Sequence, residues 1–249
     1  MAQEEQQDSV IARLGLPQVA PPWGIGETGL ALGILLLGTV LIGSGVAISI
    51  TDDTNNPEPI AFIMGWLIGL VIVFTVIIVR WRRTRERFDA LRLQVNQWQP
   101  LLALLMGIGG AFTASLVAGL GSGDFIAPMQ VLGIDRDNIG ALMLVGLLVL
   151  LVQPITESLI FAGVTLPRLR ASLSSWAGLW GTTLLYALYY YLVFGSRGVD
   201  SIALWHGAVY PALIGLTLSA VRVWSQSTLT AMLAHIGVGT SVLVILLLI

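Results

Sequence analysis

The stretch PIAFIMGWLIGLVIVFTVIIV fills residues 59–79 without a single charge, and Arg80-Trp81-Arg82-Arg83-Thr84-Arg85-Glu86-Arg87 follows at once. A helix needs about 20 apolar residues to cross the hydrocarbon core of a bilayer. An apolar run of that length closed by a cluster of arginines reads as a membrane span leaving the lipid. Six further runs of this kind are found at about 27–50, 100–120, 141–167, 173–194, 202–221 and 228–249, the third of them interrupted by Pro154 and Glu157. The runs are continuously apolar and do not alternate, which argues for helices over barrel strands. The expected fold is all-α: a polytopic membrane bundle of about seven transmembrane helices.

Composition agrees. Only 10% of the 249 residues are charged and 56% are hydrophobic, with a mean hydropathy of +0.88. A soluble domain carries roughly 25% charged residues, so a water-soluble fold is excluded, and so is disorder. A net charge of −2 argues against nucleic acid as a partner. The chain has no cysteine, which removes disulfides, thiolate metal sites and cysteine nucleophiles. All 12 basic residues are arginine, so lysine chemistry is absent.

Arginine also sets the expected orientation, because basic loops stay in the cytoplasm. With the 80–92 loop inside, alternation over seven spans puts Arg13, Arg168, Arg170 and Arg222 on the same side, and only Arg136 and Arg197 outside. The N-terminus is then inside and the C-terminus outside. Residues 1–24 are expected to form a short cytoplasmic tail without a removable signal peptide. Residues 25–99 hold two spans and the arginine-rich loop, and 100–249 the remaining core. That loop reads as a topology determinant able to touch lipid headgroups. Gly29/Gly33 and Gly65/Gly69 are spaced for close helix packing. The polar segments 52–56 and 135–138 read as ordinary turns.

Two ionisable side chains remain deep in the spans, Glu157 and His235, and such residues are functional candidates by default. Glu157 precedes Arg170 by the same interval at which His235 follows Arg222. At 1.5 Å per residue, both sit about 20 Å from the arginine-marked ends of their helices. They can share one layer, with Tyr186, Tyr189 and Tyr190 near the same depth. His206 enters from the opposite face and is expected too far outward to join them. Two histidines and one glutamate so scattered do not make a metal site, and no cofactor is expected.

The segment Pro154-Ile155-Thr156-Glu157-Ser158-Leu159-Ile160-Phe161-Ala162-Gly163 resembles motif 1, P-x-x-E-E-x-x-F-R-G, of the CPBP family, the CAAX-protease and bacteriocin-processing glutamic intramembrane proteases. Ser158 stands for the second glutamate and Ala162 for the arginine. Those two positions are spaced as a helical ion pair, so their joint loss leaves no buried unpaired charge. Tyr186-Ala187-Leu188-Tyr189-Tyr190 is similar to motif 2, F-x-x-x-H, with Tyr190 for the histidine. Gly215, Ser225-Gln226-Ser227 and His235 resemble motif 3, with Gly239 for its asparagine. The resemblance implies an integral protein of a prokaryotic cytoplasmic membrane, acting on a membrane-associated peptide or protein. By carry-over, Glu157 is the base that activates water and His235 an oxyanion donor, with Tyr190 and Ser158 at the altered motif positions.

Two functions follow from the resemblance: a peptidase whose activity is weak or lost, or an inactive relative serving as a binding or structural subunit of a membrane complex. A proton-coupled transporter is disfavoured, because no repeated half and no paired broken helices are seen.

Overall fold

A computed structural model describes residues 10–51, 58–95, 99–124, 137–194 and 201–248. Within them the chain is helical: α1 (Val10–Gly15), α2 (Ile25–Ser49), α3 (Pro59–Trp81), a short α4 (Arg85–Ala90), α5 (Gln99–Ser122), α6 (Ile139–Ser172), α7 (Ser175–Phe194), α8 (Ser201–Ser225) and α9 (Thr228–Leu248). In lipid every backbone polar group must be satisfied within the chain, and helices do this segment by segment. The turns expected at 52–56 and 135–138 lie wholly or partly outside the described residues. Asn138 is inside them, and its side chain caps α6 by accepting from the Ala141 amide at 3.0 Å.

Six of these helices are long and apolar enough to cross a membrane, where the sequence suggested about seven. The difference is α7. At 20 residues it spans about 30 Å, but Trp176, Trp180, Thr182, Thr183 and four tyrosines make it less apolar than its neighbours. Tyr186, Tyr189 and Tyr190 turn toward other polar side chains in the core.

The packing follows from side-chain size. On α5, Leu101, Leu105, Phe112, Leu116 and Leu120 are exposed while Ala103, Ala111, Ala114 and Ala118 are fully buried. Large residues face the lipid and small ones face the protein, which lets backbones approach closely. A Cβ on Gly107 would strike the Ala234 carbonyl of α9, and one on Gly237 the Leu104 carbonyl of α5. Gly65 and Gly69 meet the backbone of Gly43 and Gly38 in the same manner, whereas Gly29 and Gly33 face open space. Only the second of the two glycine pairs therefore packs helices together.

Among the described residues four stretches are π-helical: Gly38–Ile42, Leu148–Val152, Leu159–Thr165 and Trp205–Val209. The last three each end just before a proline, Pro154, Pro167 and Pro211. A proline ring collides with the carbonyl four residues earlier, and a widened turn just before it relieves that contact.

The arginine-bearing helix ends gather at one end of the bundle. Glu27, at the start of α2, binds Arg87 at 2.7 Å and Arg80 at 3.5 Å. The Thr228 amide donates to the Arg92 carbonyl at 3.0 Å. The Trp23 indole donates to the Val164 carbonyl at 3.1 Å, tying the approach to α2 against α6. Arg170 is buried and donates to the Leu14, Ser175 and Leu16 carbonyls at 2.9, 3.0 and 2.8 Å. It thus clamps α1 onto the α6–α7 turn. Hydrogen bonds from a charged donor contribute about 1.5–3 kcal/mol. Arg170→Ala is expected to destabilise the protein by about 2 kcal/mol, read as a lower thermal midpoint in detergent.

Candidate active site

Helices α6, α7 and α9 supply the centre of the polar cluster, and α2 reaches it through Thr39. Glu157 and Ser158 close an α-helical stretch of α6, just before the π segment Leu159–Thr165. Tyr186, Tyr189 and Tyr190 stand three and four residues apart on α7, hence on one face. His235 lies two turns into α9, and its register is held by Gly107 and Gly237 where α5 and α9 touch.

The carboxyl of Glu157 is fully buried. Its Oε2 accepts hydrogen bonds from the Tyr190 hydroxyl at 2.8 Å and the Tyr186 hydroxyl at 3.1 Å. His235 Nε2 lies 3.9 Å from the same oxygen and 3.3 Å from the Tyr186 hydroxyl. The far side of the imidazole, Nδ1, is 3.1 Å from Ser158 Oγ. All four candidate residues, Glu157, Ser158, Tyr190 and His235, therefore belong to one connected group. Oε1 of Glu157 is buried and has no hydrogen-bond partner among the described residues.

Two members of the group were not singled out from the sequence. Gln153 donates its amide to the Tyr190 hydroxyl from a position one turn before Glu157 on the same helix face. An amide one turn from a buried acid was the available signal. Thr39, in the π segment of α2, exchanges a 3.1 Å hydrogen bond with the Tyr189 hydroxyl. A threonine in a span carries no such signal, because it usually satisfies itself on its own helix, as Thr39 also does on the Leu35 carbonyl at 2.7 Å.

His206 stands apart, 3.3 Å from both Ser122 Oγ and the Asp124 carbonyl. The Ser225–Ser227 turn is structural. Gln226 adopts a left-handed conformation with φ 56°, and Ser227 Oγ caps α9 by accepting from the Thr230 amide at 3.1 Å. Gly239, at the motif's asparagine position, lies so close to α6 that a Cβ would strike the Val149 carbonyl.

Beside the cluster is a cavity of about 50 Å³ with a mostly apolar wall, lined by Gln153, Tyr186, Tyr190, Tyr210 and His235 together with Val149, Pro211, Ile214, Val238, Gly239 and Val242. That volume has room for a few water molecules. Its lining runs along α9 from His235 to Val242, and α9 begins at the arginine end, so the cavity extends away from that end. Glu157 does not line it; the rings of Tyr186, Tyr190 and His235 stand between. Among the described residues no group of histidines and acids could hold a metal ion.

Residues 139–240, from the start of α6 to just past Gly239, match the family model described as Rce1-like, type II CAAX prenyl endopeptidase. Over this segment the chain is similar to the CAAX-protease family, and its long apolar helices make it a membrane protein. No curated protein and no solved structure matches the chain. The Rce1-like segment contains Glu157, Ser158, Tyr190 and His235 together. The helix that buttresses His235, α5, lies outside it.

Proposed function

We propose that this protein is a glutamate-dependent intramembrane peptidase with low activity, cleaving a membrane-associated peptide or protein. The observation that carries the reading is the 3.9 Å approach of His235 Nε2 to Glu157 Oε2, from helices far apart in sequence. A Ser158 hydroxyl that donates to Nδ1 leaves the imidazole proton on Nε2, pointing into the cluster. Glu157 removes a proton from water, and the oxygen attacks the peptide carbonyl carbon. His235 Nε2–H donates to the oxygen that becomes negative, while the Tyr186 and Tyr190 hydroxyls hold the carboxyl. Collapse breaks the C–N bond, and the protonated Glu157 returns its proton to the leaving amine.

A second reading is an inactive relative that serves as a binding or structural subunit of a membrane complex. It is favoured by Gly239, which offers no side-chain donor, and by the rings that screen Glu157 from the cavity. Incubating the purified protein with a library of membrane peptides distinguishes the two. Peptide products that disappear in Glu157→Gln support the peptidase; equal background in both proteins supports the subunit, as does a stoichiometric membrane partner that copurifies.

Tyr190→Phe removes one of two hydroxyls bonded to Oε2 and leaves the ring packing intact. It is expected to lower the cleavage rate about tenfold, one hydrogen bond to a charged group, and to lower the thermal midpoint modestly, because the buried Gln153 amide loses its acceptor.

A further inference from the structure

Three buried polar atoms on α5 and α8 have no hydrogen-bond partner among the described residues: Ser115 Oγ, the Tyr210 hydroxyl and His206 Nδ1. The peptidase chemistry uses none of them. The two helices are packed together on either side of Ser115: a Cβ on Gly110 would meet Thr217, and one on Gly121 the ring of Trp205. Between these contacts Ser115 is the polar neighbour of Tyr210, yet the two hydroxyls make no direct hydrogen bond. Tyr210 is only 8% exposed. A buried hydroxyl left unbonded is costly, and a polar pair that fails to bond directly is where a bridging water sits.

These atoms fall in order along the helices. His206 stands four residues outward of Tyr210 on α8, at the end of the bundle opposite the arginines. Ser122, two turns or about 10 Å outward of Ser115 on α5, lies 3.3 Å from His206 Nε2. Inward, Tyr210 lines the cavity beside the polar cluster, as do Gln153, Tyr190 and His235. The remaining wall of that cavity is apolar, so water in it must be held by these side chains.

We propose that the Tyr210 and Ser115 hydroxyls hold a water between them, the neck of a hydrated path from the His206 end of the bundle to the cavity. The path rests on the peptidase reading only for its use, which is to deliver the water consumed in hydrolysis. The bound water itself does not depend on that reading.

The chain has no cysteine, so a single introduced thiol reports on its surroundings. The full chain is placed in nanodiscs, and Ser115→Cys is treated with a small methanethiosulfonate, which reacts with the thiolate, a form that needs water around it. Modification is expected to be at least about tenfold faster than in Leu116→Cys, as one unit of thiol pKa would give; Leu116 is the lipid-facing neighbour. His206→Trp, which fills the outer mouth, is expected to slow the reaction severalfold. Equal rates at positions 115 and 116, or a rate unmoved by His206→Trp, overturn the path. Glu157→Gln is expected to leave the labelling of Ser115→Cys unchanged while abolishing cleavage, so the two readings fail separately. Should Ser115→Cys not fold, X-ray hydroxyl-radical labelling of the native chain decides, because it oxidises side chains that touch bound water. Tyr210 is then expected to be oxidised severalfold faster than Tyr189, a tyrosine just as buried and outside the cavity lining. Equal oxidation of the two overturns the proposal.

Discussion

Glu157→Gln is expected to abolish peptide cleavage, lowering the rate by about 10²- to 10⁴-fold, the usual contribution of a general base. The substitution is nearly isosteric, and the amide oxygen still accepts from Tyr186 and Tyr190, which donate to Oε2 in the native protein. What is lost is the ability to take a proton from water and return it to the leaving amine. The fold should therefore survive, and the thermal midpoint of the variant is measured on the same preparation as the cleavage products. Cleavage at the native rate by the Glu157→Gln protein would assign the chemistry to another group. The effect exceeds that of Tyr190→Phe because tyrosine only orients the carboxyl, while the carboxyl does the chemistry.

Gly239→Asn is expected to destabilise the protein by about 3 kcal/mol, the upper end of the usual cost of forcing extra atoms into a packed interior, and to restore no activity. Asparagine at this position would look, from the motif alone, like the repair of a missing oxyanion donor. The backbone forbids it: a Cβ on Gly239 meets the carbonyl of Val149, which belongs to the π segment Leu148–Val152. The upper end applies because the neighbour is main chain and cannot swing aside as a side chain does. Thermal unfolding in detergent measures the loss. A variant as stable as the native protein, and faster in cleavage, would show that α6 and α9 can separate to admit a second donor.

The parts legible in the sequence were those that rest on length and depth. Apolar runs long enough to cross a bilayer located the helices. Equal intervals from Arg170 back to Glu157, and from Arg222 on to His235, put the acid and the imidazole in one layer. Ser158 was visible as a departure from a motif, but not as the partner of the imidazole, because that contact depends on how α6 and α9 face each other. Gln153 and Thr39 escaped notice since uncharged polar residues are common in spans and usually bond to their own helix. The aromatic character of α7 misled in another way. Its tyrosines lower the apolar score of the helix while forming the wall of the polar cluster. Glycine spacing was a half-reliable guide: Gly65/Gly69 meets another helix and Gly29/Gly33 does not, and only the arrangement of neighbours decides which.

The screen of rings over the acid bears on how any substrate would arrive. Tyr186 and Tyr190 pack with centroids 4.9 Å apart, Phe161 lies 4.9 Å from Tyr186 edge-on, and the His235 ring completes the wall at 6.2 Å. A carbonyl entering from the cavity must turn a phenol aside before it reaches the carboxyl. For a water molecule in the cavity, the swing of one or two side chains would open the way to the carboxyl. The tyrosines that steady the acid at rest would also be its doorkeepers.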